Sequence, residues 1–199
     1  MIAWMNSWDS LMIPEDTGFA GQMTTPRELS AVNGYLCQTP VRKLTARRTN
    51  PVREHLSLWT FRGAVPMSEL KGRAMDLCLV LSESAYRYFT VYLAEYGDRA
   101  LRILYDREKN LLYVDRSEVT LPGDQFPVRY VRLPAHGDRL DLRILLDVYS
   151  MEVFACGGRV VLSEIYSAPE EAVGVSLETD GCTDVALEAD EISRWREGD

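Results

Sequence analysis

From residue 57 onward the chain is a succession of short apolar segments, and this rhythm limits the possible folds more than any other feature. LWTFRG, AMDLCLVL, RYFTVYLA, RALRILY, NLLYVD, VRYVRL, LDLRILLD, SMEVFA, RVVLSE, VGVSLE and TDVALE follow one another, many alternating apolar with polar residues and rich in Val, Leu, Tyr and Phe. In LDLRILLD, Leu140, Leu142, Ile144 and Leu146 fall on one face of a strand while Asp141 and Arg143 fall on the other. One face is buried. The punctuation agrees: DREKN at 106–110, the Gly157-Gly158 pair and TDGC at 179–182 supply the Gly, Asn and Asp that tolerate positive φ in hairpin turns. No long segment holds a 3.6-residue period with caps, and no short repeat marks a solenoid. The expectation is an all-β chain of about ten short strands forming a two-sheet antiparallel β-sandwich.

Residues 1–56 read differently. IAWMN is strand-like, PEDTGFAGQMTTPRE is a loop, and ELSAVNGYLCQTPV is two strands around an Asn33-Gly34 turn. Three such pieces cannot bury a core by themselves, so this portion must lean on something else. At 199 residues there is room for one sizeable core and an appendage. The expected division is an appendage at 1–56 and a sandwich at 57–195.

Composition excludes some function classes. Thirty acids against 22 bases give a formal charge of −8, which removes general attraction to nucleic acid phosphates. The exception is RKLTARRTNPVR at 42–53, with Arg42, Lys43, Arg47, Arg48 and Arg53; lacking interleaved aromatics, it reads as a solvated linker. No apolar run reaches the ~18 residues of a membrane span. Cys37, Cys78, Cys156 and Cys182 form no C-x-x-C pair and have no nearby histidine, so free thiols and no zinc site are expected. Cys78, within MDLCLVL, reads as core, and Cys156 and Cys182 flank turns that can bring them near one another. This thiol usage points to a reducing, cytoplasmic setting.

Three ordered runs carry a family resemblance. WMNSWD followed by GQMTTPRELS resembles the last part of the catalytic propeller of glycoside hydrolase family 32, the invertases, levanases and other β-fructosidases. LRILLDVYSMEVFACGGRVVLSEIY resembles the signature of that family's C-terminal β-sandwich, and NLLYVDRSE, with Asp115, Arg116 and Ser117, is similar to a further sandwich segment. The resemblance implies a concanavalin- or jelly-roll-like sandwich preceded by remnant strands of the final propeller blade. It implies a parent that hydrolyses β-fructosidic bonds in sucrose, sucrose phosphate or fructans.

The catalytic residues of that family do not carry over. Its nucleophile lies in W-M-N-D-P-N-G, whereas Trp4-Met5-Asn6 continues here as Ser7-Trp8; the R-D-P and E-C marks of its other two carboxylates are absent. Retaining hydrolysis requires two carboxyl groups ~5–5.5 Å apart across a sugar pocket. Asp9 therefore reads as a strand-end or turn residue, and no catalytic residue, cofactor or metal ligand is assigned. The expected role is scaffold and interface within a fructosidase.

Other candidates are binding surfaces. Trp4, Asn6 and Trp8 resemble residues at the family's sugar pocket and are expected as pocket relics, or simply to pack. In AYRYFTVYLAEY a single strand would put Tyr86, Tyr88, Thr90, Tyr92 and Tyr96 on one face and Phe89, Val91 and Leu93 on the other, making a tyrosine strip for sugar or protein. Glu152 sits between apolar residues and is expected to lock neighbouring strands rather than to act as an acid. His55 and His136 are isolated. The expected partners are a second copy of the chain or a propeller-containing chain, with carbohydrate as the alternative and neither nucleic acid nor membrane.

Overall fold

The computed structural model describes residues 1–6, 18, 19, 21–59, 63–120 and 124–193, with the backbone alone at 83 and 84. The strands are β1 (Arg27–Val32), β2 (Tyr35–Pro40), β3 (Arg48–Trp59), β4 (Val65–Pro66), β5 (Met75–Ala85), β6 (Tyr88–Tyr96) and β7 (Arg99–Asp106), then β8 (Leu111–Asp115), β9 (Val128–Arg132), β10 (Leu140–Leu146), β11 (Ser150–Ala155), β12 (Val160–Ile165), β13 (Gly174–Thr179) and β14 (Cys182–Ile192). Two six-stranded antiparallel sheets face one another. The first runs β12-β11-β10-β5-β14-β3 and the second β4-β13-β6-β7-β8-β9, while β1 and β2 form a separate hairpin.

The alternation read from the sequence is the alternation of the core. Leu77, Leu79 and Leu81 of β5, Leu140, Leu142, Ile144 and Leu146 of β10, and Val185 and Leu187 of β14 point inward from the first sheet. Phe89, Val91 and Leu93 of β6, Leu101 and Ile103 of β7, and Leu112 and Val114 of β8 meet them from the second. Each such side chain contributes about 1.5–3 kcal/mol by leaving water. The same alternation places Cys78 on the outer face of β5, half-buried, so it is not the core residue that its apolar neighbours suggested.

The hairpin forms where the Asn33-Gly34 pair was expected to turn the chain, with φ of 51° and 80° at its two central residues. These are the positive angles a two-residue turn demands. The hairpin leans on the outer face of the first sheet: Gln38 N donates to Gly158 O at 2.9 Å, and the Arg159 guanidinium lies 3.8 Å from the Tyr35 ring centroid. Gly158, at φ 80°, is the glycine this contact requires, because a Cβ there would run into the Gln38 carbonyl.

The basic stretch is not a linker. Arg42–Arg47 form a short 3-10 turn, and Arg48 begins a twelve-residue strand. The divide expected between residues 56 and 57 therefore falls inside β3. Arg48 reaches the wholly buried Asp76 at 2.7 Å, Arg143 reaches the same carboxylate at 2.7 Å, and Arg53 reaches Asp190 at 3.4 Å. Arg48 and Arg53 belong with Arg143 to an ion-pair lattice on the sheet's outer face, where acids of β5 and β14 supply partners invisible to local sequence, while Arg42 pairs with Glu28 of β1.

Candidate functional site

The most deeply built polar feature is a seam between the N-terminal portion and the sandwich. Arg27 opens β1 and Glu152 lies on β11, 125 positions away; their side chains are 6% and 4% exposed and form a salt bridge. Glu152 Oε2 accepts from Arg27 Nε at 3.1 Å and from Nη2, and Oε1 accepts from Thr25 N at 2.5 Å. Arg27 also donates to Gln38 Oε1 at 2.8 Å and Ser163 Oγ at 2.6 Å, with its guanidinium over the Phe154 ring. A buried ion pair tolerates its desolvation only when the remaining donors and acceptors are satisfied, and here they are. Glu152 thus locks strands together, as expected: it accepts from Ser163 Oγ of the adjacent strand β12 at 3.4 Å, and more closely from the N-terminal extension. Phe154, on the same outward face of β11, is buried beneath the Arg27 guanidinium, whereas Cys156, past the strand's end at φ 54°, joins the core.

Ahead of the seam, residues 1–6 run antiparallel to 22–27. Arg27 N donates to Met1 O at 2.7 Å, Thr24 N to Ala3 O at 2.8 Å and Met5 N to Gln22 O at 2.9 Å. Of the pocket candidates, Trp4 bridges to Met23 and is 47% exposed, while Asn6 is buried with its Oδ1 accepting from Gln22 N. The side-chain amide nitrogens of Asn6 and Gln22 are buried with no hydrogen-bond partner among the described residues. Trp8 and Asp9 lie outside the described residues.

The tyrosine strip is split. Tyr86 precedes β6 and turns into the core, where it packs against Phe89 and Tyr105 at ring-centroid distances of 6.3 and 6.5 Å. Tyr88 and Tyr92 face outward as expected. A bulge between Leu93 and Tyr96, with Ala94 at φ 49°, shifts the register by one and pairs Tyr96 with Arg99. One extra residue reverses the face on which every later side chain stands, so Tyr96 leaves the Tyr88 and Tyr92 side. Tyr92 is engaged as well: its hydroxyl donates to Glu178, and burial followed by that carboxylate pushes its phenol up to about 12.

Carboxylates occur in pairs, but each pair is held by arginine. Asp124 and Glu164 flank Arg116 at 2.8 and 3.1 Å, and Arg116 also donates to Ile165 O at 2.7 Å. Burial raises the Glu164 carboxyl, outweighing Arg116. Burial acts the same way on Asp124, but the Phe126 N–H, the Thr120 hydroxyl and Arg116 together hold it below the usual range. Arg116 thus ties Asp124 to Glu164 of β12 and occupies the space between the two carboxylates. Among the described residues no group of His, Cys, Asp and Glu is placed to hold a metal. The four thiols are free, and burial lifts Cys156 to about 11, out of the nucleophilic range.

One cluster escaped the sequence reading. His136, which seemed solitary there, stands 3.0 Å from the Tyr105 hydroxyl and 3.3 Å from Asn110 Oδ1. No local signal joins a residue of β7 to residues of two separate loops. His55 lies on β3, paired in register with Ala186.

Comparison with known proteins places these features. The family described as "Glycosyl hydrolases family 32 C terminal" matches residues 42–195. The chain is 33% identical over 174 residues to sucrose-6-phosphate hydrolase of Escherichia coli, covering 86% of this chain and 34% of that protein. It is 28% identical over 191 residues to a levanase of Bacillus sp. (strain L7), covering 91% of this chain and 21% of that protein. Among solved structures, an exo-inulinase from Aspergillus awamori superposes with a TM-score of 0.82 at 22% identity, over 98% of this chain and 40% of that one. Sucrose-6-phosphate hydrolase from Lactobacillus gasseri gives 0.80 at 21% identity, over 96% and 38%. The chain spans about a third or less of the length of these two curated relatives.

Proposed function

The chain belongs to glycoside hydrolase family 32, as its C-terminal β-sandwich module, and from that premise we propose that it braces a fructosidase and does not itself break bonds. The observation that carries this is the Arg27–Glu152 seam. A fully satisfied, buried ion pair joins two segments 125 positions apart, and it holds the strand-forming residues 1–6 and 22–40 against the sandwich at a set angle. Such a seam fixes orientation. The amides of Asn6 and Gln22, which have no partner among the described residues, support the same reading, since a buried unsatisfied donor costs about 1–3 kcal/mol and calls for a further acceptor.

The activity served is hydrolysis of β-fructosidic bonds in sucrose, sucrose phosphate or fructans, by a catalytic propeller whose carboxylates are not in this sequence. The partner is that propeller chain, or a second copy joined through the exposed apolar residues Ile2, Trp4, Met23 and Leu29. Four free thiols fit a reducing compartment such as the cytoplasm. No helix among the described residues is long and apolar enough to cross a membrane.

The test is fructose release from sucrose, sucrose 6-phosphate, inulin and levan. The 199-residue chain alone is expected to release none. Mixed with the separately expressed propeller of a family member, it is expected to bind and to raise that propeller's activity or thermal stability, and the Glu152→Gln variant should do so less well. Hydrolysis by the chain alone would overturn the reading.

A further inference from the structure

One end of the sandwich carries a cleft of about 470 Å³ that neither the seam nor the tyrosine strand explains. Three loops build it: the β5–β6 turn with Arg87, the β7–β8 hairpin with Arg107 and Asn110, and the β9–β10 loop with His136. Its volume falls within the ~300–1,000 Å³ of small-ligand sites.

The floor is polar and fixed in place. The Tyr105 hydroxyl donates to Asn110 Oδ1 at 3.0 Å and lies 3.0 Å from His136 Nε2. Asn110 Nδ2 donates to Leu133 O at 2.9 Å, and His136 Nδ1 lies 3.2 Å from Arg139 O, so both side chains are tied to backbone of the β9–β10 connection. A hydroxyl, an amide oxygen and an imidazole nitrogen therefore converge in one place. The hydroxyl and the amide oxygen retain capacity for a further hydrogen bond, whereas the single site on His136 Nε2 is taken up within the cluster and holds it together.

The walls decide the charge class of the ligand. Arg87 is paired with Glu108 at 3.1 Å, and Arg107 with Asp138 at 3.0 Å. Both pairs are solvent-exposed and so worth about 0–1 kcal/mol, weak enough for each guanidinium to turn towards a ligand. Each cation has its own acid, Glu108 in the lining and Asp138 just outside it, so both guanidinium charges are neutralised where they border the cleft. A phosphate or carboxylate would have to approach Glu108 and displace Asp138 from Arg107, and an apolar ligand would leave the floor unsatisfied. What matches guanidinium donors, carboxylate acceptors and a mixed floor is a ligand with many hydroxyls and no charge.

We propose that this cleft binds a short neutral saccharide. The family reading enters only in the choice of fructo-oligosaccharides as first probes. The test is titration of the isotopically labelled 199-residue chain with inulin-type and levan-type oligosaccharides, sucrose, maltotriose and inorganic phosphate, following the backbone amides of Arg87, Arg107, Asn110 and His136. A saturable response of these amides to a saccharide is expected, weakened about tenfold or more by Arg107→Ala through loss of charge-assisted hydrogen bonds. Arg87→Ala, on the opposite wall, should weaken it independently, which guards against a local distortion caused by the first variant. Response to maltotriose but to no fructoside leaves the site standing and counts against the fructoside assignment instead. A response to phosphate alone, shifts confined to Tyr88 and Tyr92, or no response to any probe overturns the proposal.

Discussion

Replacing Glu152 by Gln tests the seam directly, because the shape is kept while the charge is removed. In Glu152→Gln one amide oxygen can still accept from Thr25 N, but an NH2 group now faces the Nε and Nη2 donors of Arg27. A guanidinium only 6% exposed then loses its counter-charge. Removing one partner of a buried pair costs about 3–5 kcal/mol; Gln38, Ser163 and the Phe154 ring remain around Arg27 and place the cost near the lower end. The sandwich core is untouched, so the cost should appear as local undocking of residues 22–40. Hydrogen exchange at Thr25, Arg27 and Gln38 should accelerate about a hundredfold, the equivalent of ~3 kcal/mol, while Leu79 and Leu142 keep their protection. The double variant Arg27→Met with Glu152→Leu should recover most of the loss, since an apolar pair bears no desolvation penalty. Acceleration below about fivefold, or equal loss in the core strands, would refute the reasoning.

Three further outcomes follow from single contacts. Gly158→Ala combines a φ of 80° with a clash against the Gln38 carbonyl and is expected to cost about 2 kcal/mol or more, read as faster proteolysis at the Asn33-Gly34 turn. In a spectrophotometric titration Tyr92 should ionise near 12, and Glu178→Gln should bring it down by removing the carboxylate that opposes phenolate formation. Asp124, whose folded pKa is lowered, contributes stability above its unfolded value near 3.8, and that contribution is lost as pH falls through the folded value. Acid unfolding of Asp124→Asn, followed by circular dichroism, should therefore show a shallower loss at the acid end than the parent chain.

Much of the sandwich is written locally. Inward Leu140, Leu142, Ile144 and Leu146 alternate with outward residues because side chains on a pleated strand reverse at every step, and Asn33-Gly34 makes a turn because few other pairs accept two positive φ angles. Family membership is legible too, in motifs that span the chain. The tyrosine strand shows where such reading stops: an alternating pattern assumes unbroken register, and the bulge at Ala94 is set by pairing with β7 and β13 rather than by the sequence of β6. Cys78 went astray for the related reason that an apolar run does not declare which of its residues turn outward.

The sequence by itself determined that this polypeptide makes antiparallel sheets around one apolar layer, because period-two alternation and turn chemistry act between near neighbours. Only the tertiary structure decided that Arg27 meets Glu152, that Arg48 and Arg53 find Asp76 and Asp190, and that Tyr105, Asn110 and His136 share one cleft. Charge pairing and hydrogen bonding reach only a few ångströms, so these partners exist once the chain has folded back on itself, and spacing along the sequence carries no mark of them.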